Sequence, residues 1–304
     1  MLLILTGPTA VGKTALSIAL ARAVQGEIIS ADSCQVYKGM DIGSAKIRPE
    51  EMEGIPHHLI DVYPPDQPFH VYAFQQEAKR LIREIEQRGH TPIIVGGTGF
   101  YIQSVLYDID FSDTVDNGYR EELEKIASTQ EGKHALWLEL KKVDPVYCDE
   151  CHENNAKRII RALEFYRQNG YPISEHNARE REKKSPYDFR YFVLTMDRQV
   201  LYERINARVD QMMEEGLVEE VMRLRDMGYT PDLLSMQAIG YKEVWQYLDG
   251  QMDLATATEQ IKENTRHFAK RQLTWFRREK DVIWLDKDRF SSEEAILKEM
   301  LSKF

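Results

Sequence analysis

The chain has 304 residues, 42% hydrophobic and 30% charged, so it can bury a sizeable core, and no apolar run reaches the ~18 residues of a membrane span. A net charge of −10 speaks against nucleic acid as a partner of the whole surface, since phosphate contacts rest on Lys and Arg. Three cysteines make no disulfide framework, and residues 1–5 follow no basic leader region, so a cytoplasmic location is expected.

Residues 2–5 predict a first strand, followed by a glycine-rich turn and helical spacing over 15–24. Residues 27–30 read as a second strand and 58–62 as a third. Val71, Phe74, Ala78, Leu81, Ile82 and Ile85 share one helix face, with Gly89 as the stop. Residues 92–95 predict a buried strand running into Gly96-Gly97, then a helix over 98–106. Strands alternating with helices imply a parallel sheet with right-handed crossovers. After Asp108 the pattern changes: residues 119–165 are charged and helical, with breaks expected at Gly132 and at Asp144-Pro145. A strand returns at 189–195, a helix or helix pair follows over 198–227, Gly228 and Gly250 punctuate further helices, and 282–285 closes the sheet. The expected fold class is α/β, a P-loop NTPase-like parallel sheet flanked by helices. Its core covers 1–110 and 188–304, interrupted by an all-helical insertion over 111–187.

Gly7-Pro8-Thr9-Ala10-Val11-Gly12-Lys13-Thr14 matches G-x-x-x-x-G-K-[ST] in full, between a predicted strand and a predicted helix. Such a loop curls backbone N–H groups around a phosphate at a helix N-terminus. Lys13 can reach the terminal phosphate, and the Thr14 hydroxyl suits Mg²⁺. A kinase or hydrolase should also carry a metal-binding carboxylate closing a buried strand. The strand at 92–95 ends in glycines, which leaves only Asp61, itself a plain turn residue on sequence grounds. Asp32 follows the second strand, at the sheet edge where ligands of open α/β folds sit. It can serve as a proton acceptor or as an Asx-turn, and both readings stay open.

Two basic tracts stand against the acidic whole: Lys157, Arg158, Arg161 and Arg167, and then Lys262, Arg266, Lys270, Arg271, Arg277, Arg278 and Lys280. A basic helix face is as often merely solvated as it is a phosphate contact.

Beyond the P-loop, residues 31–46 (ADSCQVYKGMDIGSAK), 56–61 (PHHLID), 95–101 (VGGTGFY), 157–164 (KRIIRALE), 237–243 (QAIGYKE) and 265–277 (TR through AKRQLTWFR) resemble the bacterial tRNA dimethylallyltransferases, in order along nearly the whole chain. The resemblance implies transfer of a dimethylallyl group from dimethylallyl diphosphate to the exocyclic amine of the adenosine immediately 3′ of the anticodon. It implies Asp32 as general base, residues Thr9 to Thr14 with Mg²⁺ on the diphosphate, Thr9 donating at the breaking bond, and Arg208 as a further cation. It implies tRNA contacts at Asp32-Ser33-Cys34-Gln35, Thr98, Arg120, Lys157-Arg158-Ile159-Ile160-Arg161 and Gln237-Ala238-Ile239-Gly240-Tyr241-Lys242. A monomer binding the tRNA anticodon stem-loop, with no membrane, is the expected form. Where the family has His-Pro-Asn-Asp, this chain has His152-Glu153-Asn154-Asn155, which puts that loop in question. No Cys follows Cys151, so the zinc finger of eukaryotic relatives is not expected. Cys148-x-x-Cys151-His152 is read as chance, and Trp275 as core or stacking platform. The competing readings are a small-molecule P-loop kinase, a prenyltransferase of free adenine nucleotides, and an RNA-binding nucleotide switch.

Overall fold

A computed structural model describes residues 1–111 and 118–304, so the part of the expected insertion at 112–117 lies outside the described residues. The chain forms two compact units, residues 1–106 with 187–304, and residues 107–186. The first unit begins β1 (Leu2–Thr6), α1 (Lys13–Val24), β2 (Gly26–Ala31), β3 (His57–His58), α2 (Val71–Gln87), β4 (Thr91–Gly96) and α3 (Gly99–Leu106). The second unit holds α4 (Tyr119–Ile126), α5 (Gln130–Val143), α6 (Pro145–Glu150), α7 (Ala156–Asn169) and α8 (Ile173–Glu182). The chain then returns through β5 (Phe189–Thr195), α9 (Arg198–Glu214), α10 (Leu217–Asp226), α11 (Tyr241–Leu248), α12 (Leu254–Phe276), β6 (Val282–Asp286) and α13 (Glu293–Leu301).

The six strands are all parallel, in the order β3-β2-β4-β1-β5-β6. Parallel strands covered on both faces read as continuous apolar runs rather than alternating ones. β1 fits this, with every residue buried between β4 and β5. Leu3, Leu5, Leu16, Leu20, Ile93 and Phe192 centre the core, each worth about 1.5–3 kcal/mol of burial. No described helix is long and apolar enough to cross a membrane.

Three expectations need correction. The third strand stops at His58, because Leu59 and Asp61 adopt φ of 61° and 54° and the chain then bonds to the loop after β2, through Asp61 N–H to Gln35 O and Val62 N–H to Val36 O. The first helical break falls at Ala127–Thr129 rather than at Gly132. Thr129 caps α5 by accepting the Gly132 N–H at 3.0 Å. Gly132 is a glycine for space, since a Cβ there would stand 1.7 Å from Ile126 O. The expected 110/111 boundary lies four residues earlier. Glu180 accepts the Asp110 N–H and Lys183 donates to Asp108 O, so that stretch belongs with α8.

The second unit packs Leu123, Leu136, Leu140, Ile159, Ile160 and Leu163 around buried Cys148 and Cys151. Asp144 accepts the Tyr147 N–H and both the N–H and hydroxyl of Ser174, which explains the break before Pro145.

Candidate active site

Three neighbouring strands, β2, β4 and β1, bring Asp32, Gly96-Gly97-Thr98 and the P-loop to one edge of the sheet. The P-loop conformation needs its glycines. Gly7 has φ 147° with Leu194 O only 2.7 Å from where a Cβ would sit, and Gly12 enters α1 at φ 94°. Lys13 folds over the loop, its Nζ donating to Gly7 O at 3.0 Å and Pro8 O at 2.9 Å. Burial pushes the Lys13 ammonium down to about 8; nearby Asp32 opposes that shift and Arg208 adds to it. Arg208 on α9 is also lowered, first by burial and then by Arg204, with Asp32 again opposing. The two cations and the carboxylate therefore share one local field. Exposed Thr14 opens the first turn of α1 beside Lys13.

Asp32 forms the turn that its sequence allowed. Its Oδ1 accepts the N–H groups of Cys34 at 2.8 Å and Gln35 at 3.3 Å, which makes an Asx-turn. The turn holds the carboxylate in place through one oxygen. Burial, with Asp32 adding, pushes the Cys34 thiol up to about 12, so it is a neutral group here and no nucleophile. Gln35 is tied inward, accepting from Ser30 and donating to the carbonyls of Ser44 and Ala45. Asp61, the one sequence candidate for a metal-binding acid, is paired with Lys46.

Gln272 on α12 escaped the sequence reading. Its Oε1 accepts the Thr9 N–H at 2.9 Å and its Nε2 donates to Gly97 O at 2.9 Å, bracketing the P-loop to the β4–α3 turn. Gly97 leaves room for it, since a Cβ there would lie 2.1 Å from Nε2. The available signal was a buried polar residue on the inward face of an otherwise basic helix. Gly99 likewise admits the Trp275 indole, which also meets Phe100 edge-on at 5.9 Å. On the outer side of α12, His267, Lys270, Arg271, Thr274, Trp275 and Arg278 line an open cleft of about 350 Å³.

The expected RNA residues divide by burial. Lys157, Arg158 and Arg161 are exposed on α7, whereas the Ile159 and Ile160 side chains lie in the core. Asn155 caps α7 by accepting the Arg158 N–H, so the departure from the family pattern keeps a cap at that position. Arg158 also donates to the Tyr147 hydroxyl, and Arg120 makes a forked pair with Glu164 at 2.6–3.1 Å. Gln237 and Lys242 are exposed, Ala238 and Ile239 half-buried, and Gly240 and Tyr241 fully covered. Thr98 is half-buried, and its carbonyl accepts the first N–H groups of α3.

Residues 35–279 match the family model described as IPP transferase. The tRNA dimethylallyltransferase of Lachnoclostridium phytofermentans is 56% identical over 99% of this chain and 96% of its own, and that of Carboxydothermus hydrogenoformans 53% over 96% and 94%. The crystal structure of the full-length tRNA isopentenylpyrophosphate transferase of Bacillus halodurans superposes with a TM-score of 0.75, at 46% identity over 99% of this chain and 96% of that one. A eukaryotic dimethylallyltransferase, in crystallographic snapshots of it acting on tRNA, gives 0.83 at 31% identity, covering 99% of this chain and 79% of that one. The near-full-length relatives also cover the P-loop and Asp32, which precede the span of the family model. With a family model over most of the chain and relatives above half identity along nearly all of it, the chain belongs to the IPP transferase family.

Proposed function

We propose that the chain transfers a dimethylallyl group from dimethylallyl diphosphate to the exocyclic amine of the adenosine 3′-adjacent to the anticodon of tRNA, releasing pyrophosphate. The observation that carries this reading is the grouping of Asp32 with Lys13 and Arg208 at the edge where β2, β4 and β1 end. The P-loop N–H groups, with Lys13 and Arg208, hold the diphosphate and meet the charge that grows on it as the allylic C–O bond breaks. Thr9, its backbone braced by Gln272, donates toward the bridging oxygen. The amine nitrogen forms the new bond to carbon, and Asp32 accepts the proton it sheds.

The donors present fit Mg²⁺. Such an ion is commonly held by one or two protein oxygens plus substrate phosphates, and Thr14 offers the first while the diphosphate brings the rest. Bound there, it would neutralise leaving-group charge. For RNA, the exposed Lys157, Arg158, Arg161, Arg120, Gln237 and Lys242 are assigned as contacts, with Ser33, Gln35 and Thr98 around the entering base, which must leave its stack to react. The basic cleft on α12 supplies further cations for the phosphate backbone. The enzyme is assigned as a cytoplasmic monomer.

Incubation with unmodified tRNA and labelled dimethylallyl diphosphate, followed by nucleoside analysis, tests the reading. Label should reach one adenosine, with pyrophosphate released and no ATP consumed. Phosphorylation of a small molecule by ATP, or prenylation of free AMP without RNA, would replace it.

A further inference from the structure

Glu220 lies on α10 with 1% of its surface exposed. A carboxylate so deeply buried is costly unless donors meet its charge. Four do, and none of them is a cation. Its Oε2 accepts the N–H groups of Asp41 at 3.0 Å and Ile42 at 2.8 Å. Its Oε1 accepts the Gly43 N–H at 3.2 Å and the Tyr241 hydroxyl at 2.6 Å. Successive backbone N–H groups converging on an anion form a nest, and here the anion is the protein's own side chain. Gly43 is required for the arrangement, because the Tyr241 ring comes within 2.5 Å of the place a Cβ would take.

The segments joined at Glu220 are distant in sequence, and each continues into the site. Residues 41–46 lean on Gln35, whose Nε2 donates to the Ser44 and Ala45 carbonyls, and the Gln35 N–H is itself bonded to Asp32. Lys46 pins the same loop, donating to Tyr37 O at 2.7 Å and Asp41 Oδ1 at 2.6 Å. On the other side, Tyr241 opens α11 directly after Gln237-Ala238-Ile239-Gly240, and Glu243 accepts the Gly240 N–H at 2.8 Å. One buried carboxylate thus lies between the loop that orients the base and a segment assigned to RNA.

We propose that Glu220 is a positioning residue for the transfer. It touches no substrate, but it sets the Asp32-to-Gln35 loop against residues 237–242, so that the purine amine arrives within reach of Asp32. This rests on the reaction proposed above. Glu220→Gln keeps the shape but replaces one acceptor oxygen with an amide that cannot accept, and Tyr241→Phe removes a single hydroxyl. Hydrogen bonds to a buried charge are strong enough that transfer to tRNA should fall about 30-fold in Glu220→Gln and about 5-fold in Tyr241→Phe. The double variant should lose less than the product of the two, since both act through one contact. Affinity for dimethylallyl diphosphate should stay within about twofold.

Hydrogen exchange provides the readout that a merely structural role would not move: the Cys34 and Gln35 amides should exchange faster in both variants, while those of the P-loop do not. Should Glu220→Gln fail to fold, Tyr241→Phe decides the matter alone. Unchanged transfer and unchanged exchange at Cys34 and Gln35 would overturn the proposal. So would a loss of diphosphate affinity in step with the rate, which marks general loosening. If the parent enzyme transfers no prenyl group, the reaction is misassigned, and the exchange at Cys34 and Gln35 still decides whether Glu220 is coupled to the Asp32 loop.

Discussion

The two ends of β2 carry two carboxylates with opposite fates. Glu27, near its start, is buried and fully paired, with Arg88 donating at 2.7 and 3.0 Å and His58 and His90 each at 2.7 Å. Those partners, the Arg88 bond first, bring its carboxyl down to about 2. Asp32, just past the other end, is held by backbone N–H groups of its own turn, and burial lowers the pKa of Lys13 and Arg208 near it. A charge surrounded by fitted side-chain partners ties strands and loops together. A charge oriented through one oxygen remains available for a substrate.

Substitutions at the two ends should therefore separate chemistry from stability. Asp32→Ala should lower single-turnover transfer by about 10³-fold, in the range of general-base loss, with diphosphate affinity within a few-fold of the parent. Near-normal turnover would remove Asp32 from the mechanism. Glu27→Gln should do the reverse, costing about 2 kcal/mol in urea unfolding at neutral pH, a figure reduced because the partners are half-exposed, with transfer unchanged. Because the Glu27 pKa is depressed, its contribution is present above about 4.5 and is lost as pH falls toward about 2. The variant should accordingly show a flatter acid arm across that window.

Lys13 supplies a pH test at the functional end. With its ammonium lowered to about 8, affinity for dimethylallyl diphosphate should decline above that pH by up to about tenfold per unit, and Lys13→Arg should not show that decline. Gln272→Ala should raise the KM for dimethylallyl diphosphate several-fold, up to about tenfold, by freeing the Thr9 amide, with RNA affinity unaffected. The smallest functional effects belong to α7. Lys157→Ala and Arg161→Ala should each reduce the salt slope of tRNA binding by about 1, whereas Ile160→Ala should leave the slope alone and cost about 2–5 kcal/mol in stability.

Much of the fold was legible because it is written locally. Short, mainly apolar runs at 2–5, 92–95 and 189–195, bounded by turn residues, fit covered strands, and a P-loop pattern between a strand and a helix fits a phosphate cradle. The third strand failed at Leu59, whose backbone is left-handed, and the residues after it pair with a loop 26 residues earlier, Asp61 with Gln35 and Val62 with Val36. Gly132 misled for a similar reason, being a glycine for clearance rather than a helix stop. The stretches proposed for RNA could be named only as segments, since sequence could not say which members face outward; burial gives Lys157, Arg158 and Arg161 to solvent and Ile159 and Ile160 to the core.

By itself, then, the sequence determined the parallel α/β core, the phosphate cradle and the family, since each depends on short patterns or on identity along the whole chain. Tertiary structure alone decided that Gln272 braces Thr9 and that Glu220 joins residues 41–43 to Tyr241. These contacts span up to 263 residues, and a hydrogen bond between distant segments leaves no periodicity in the chain that makes it.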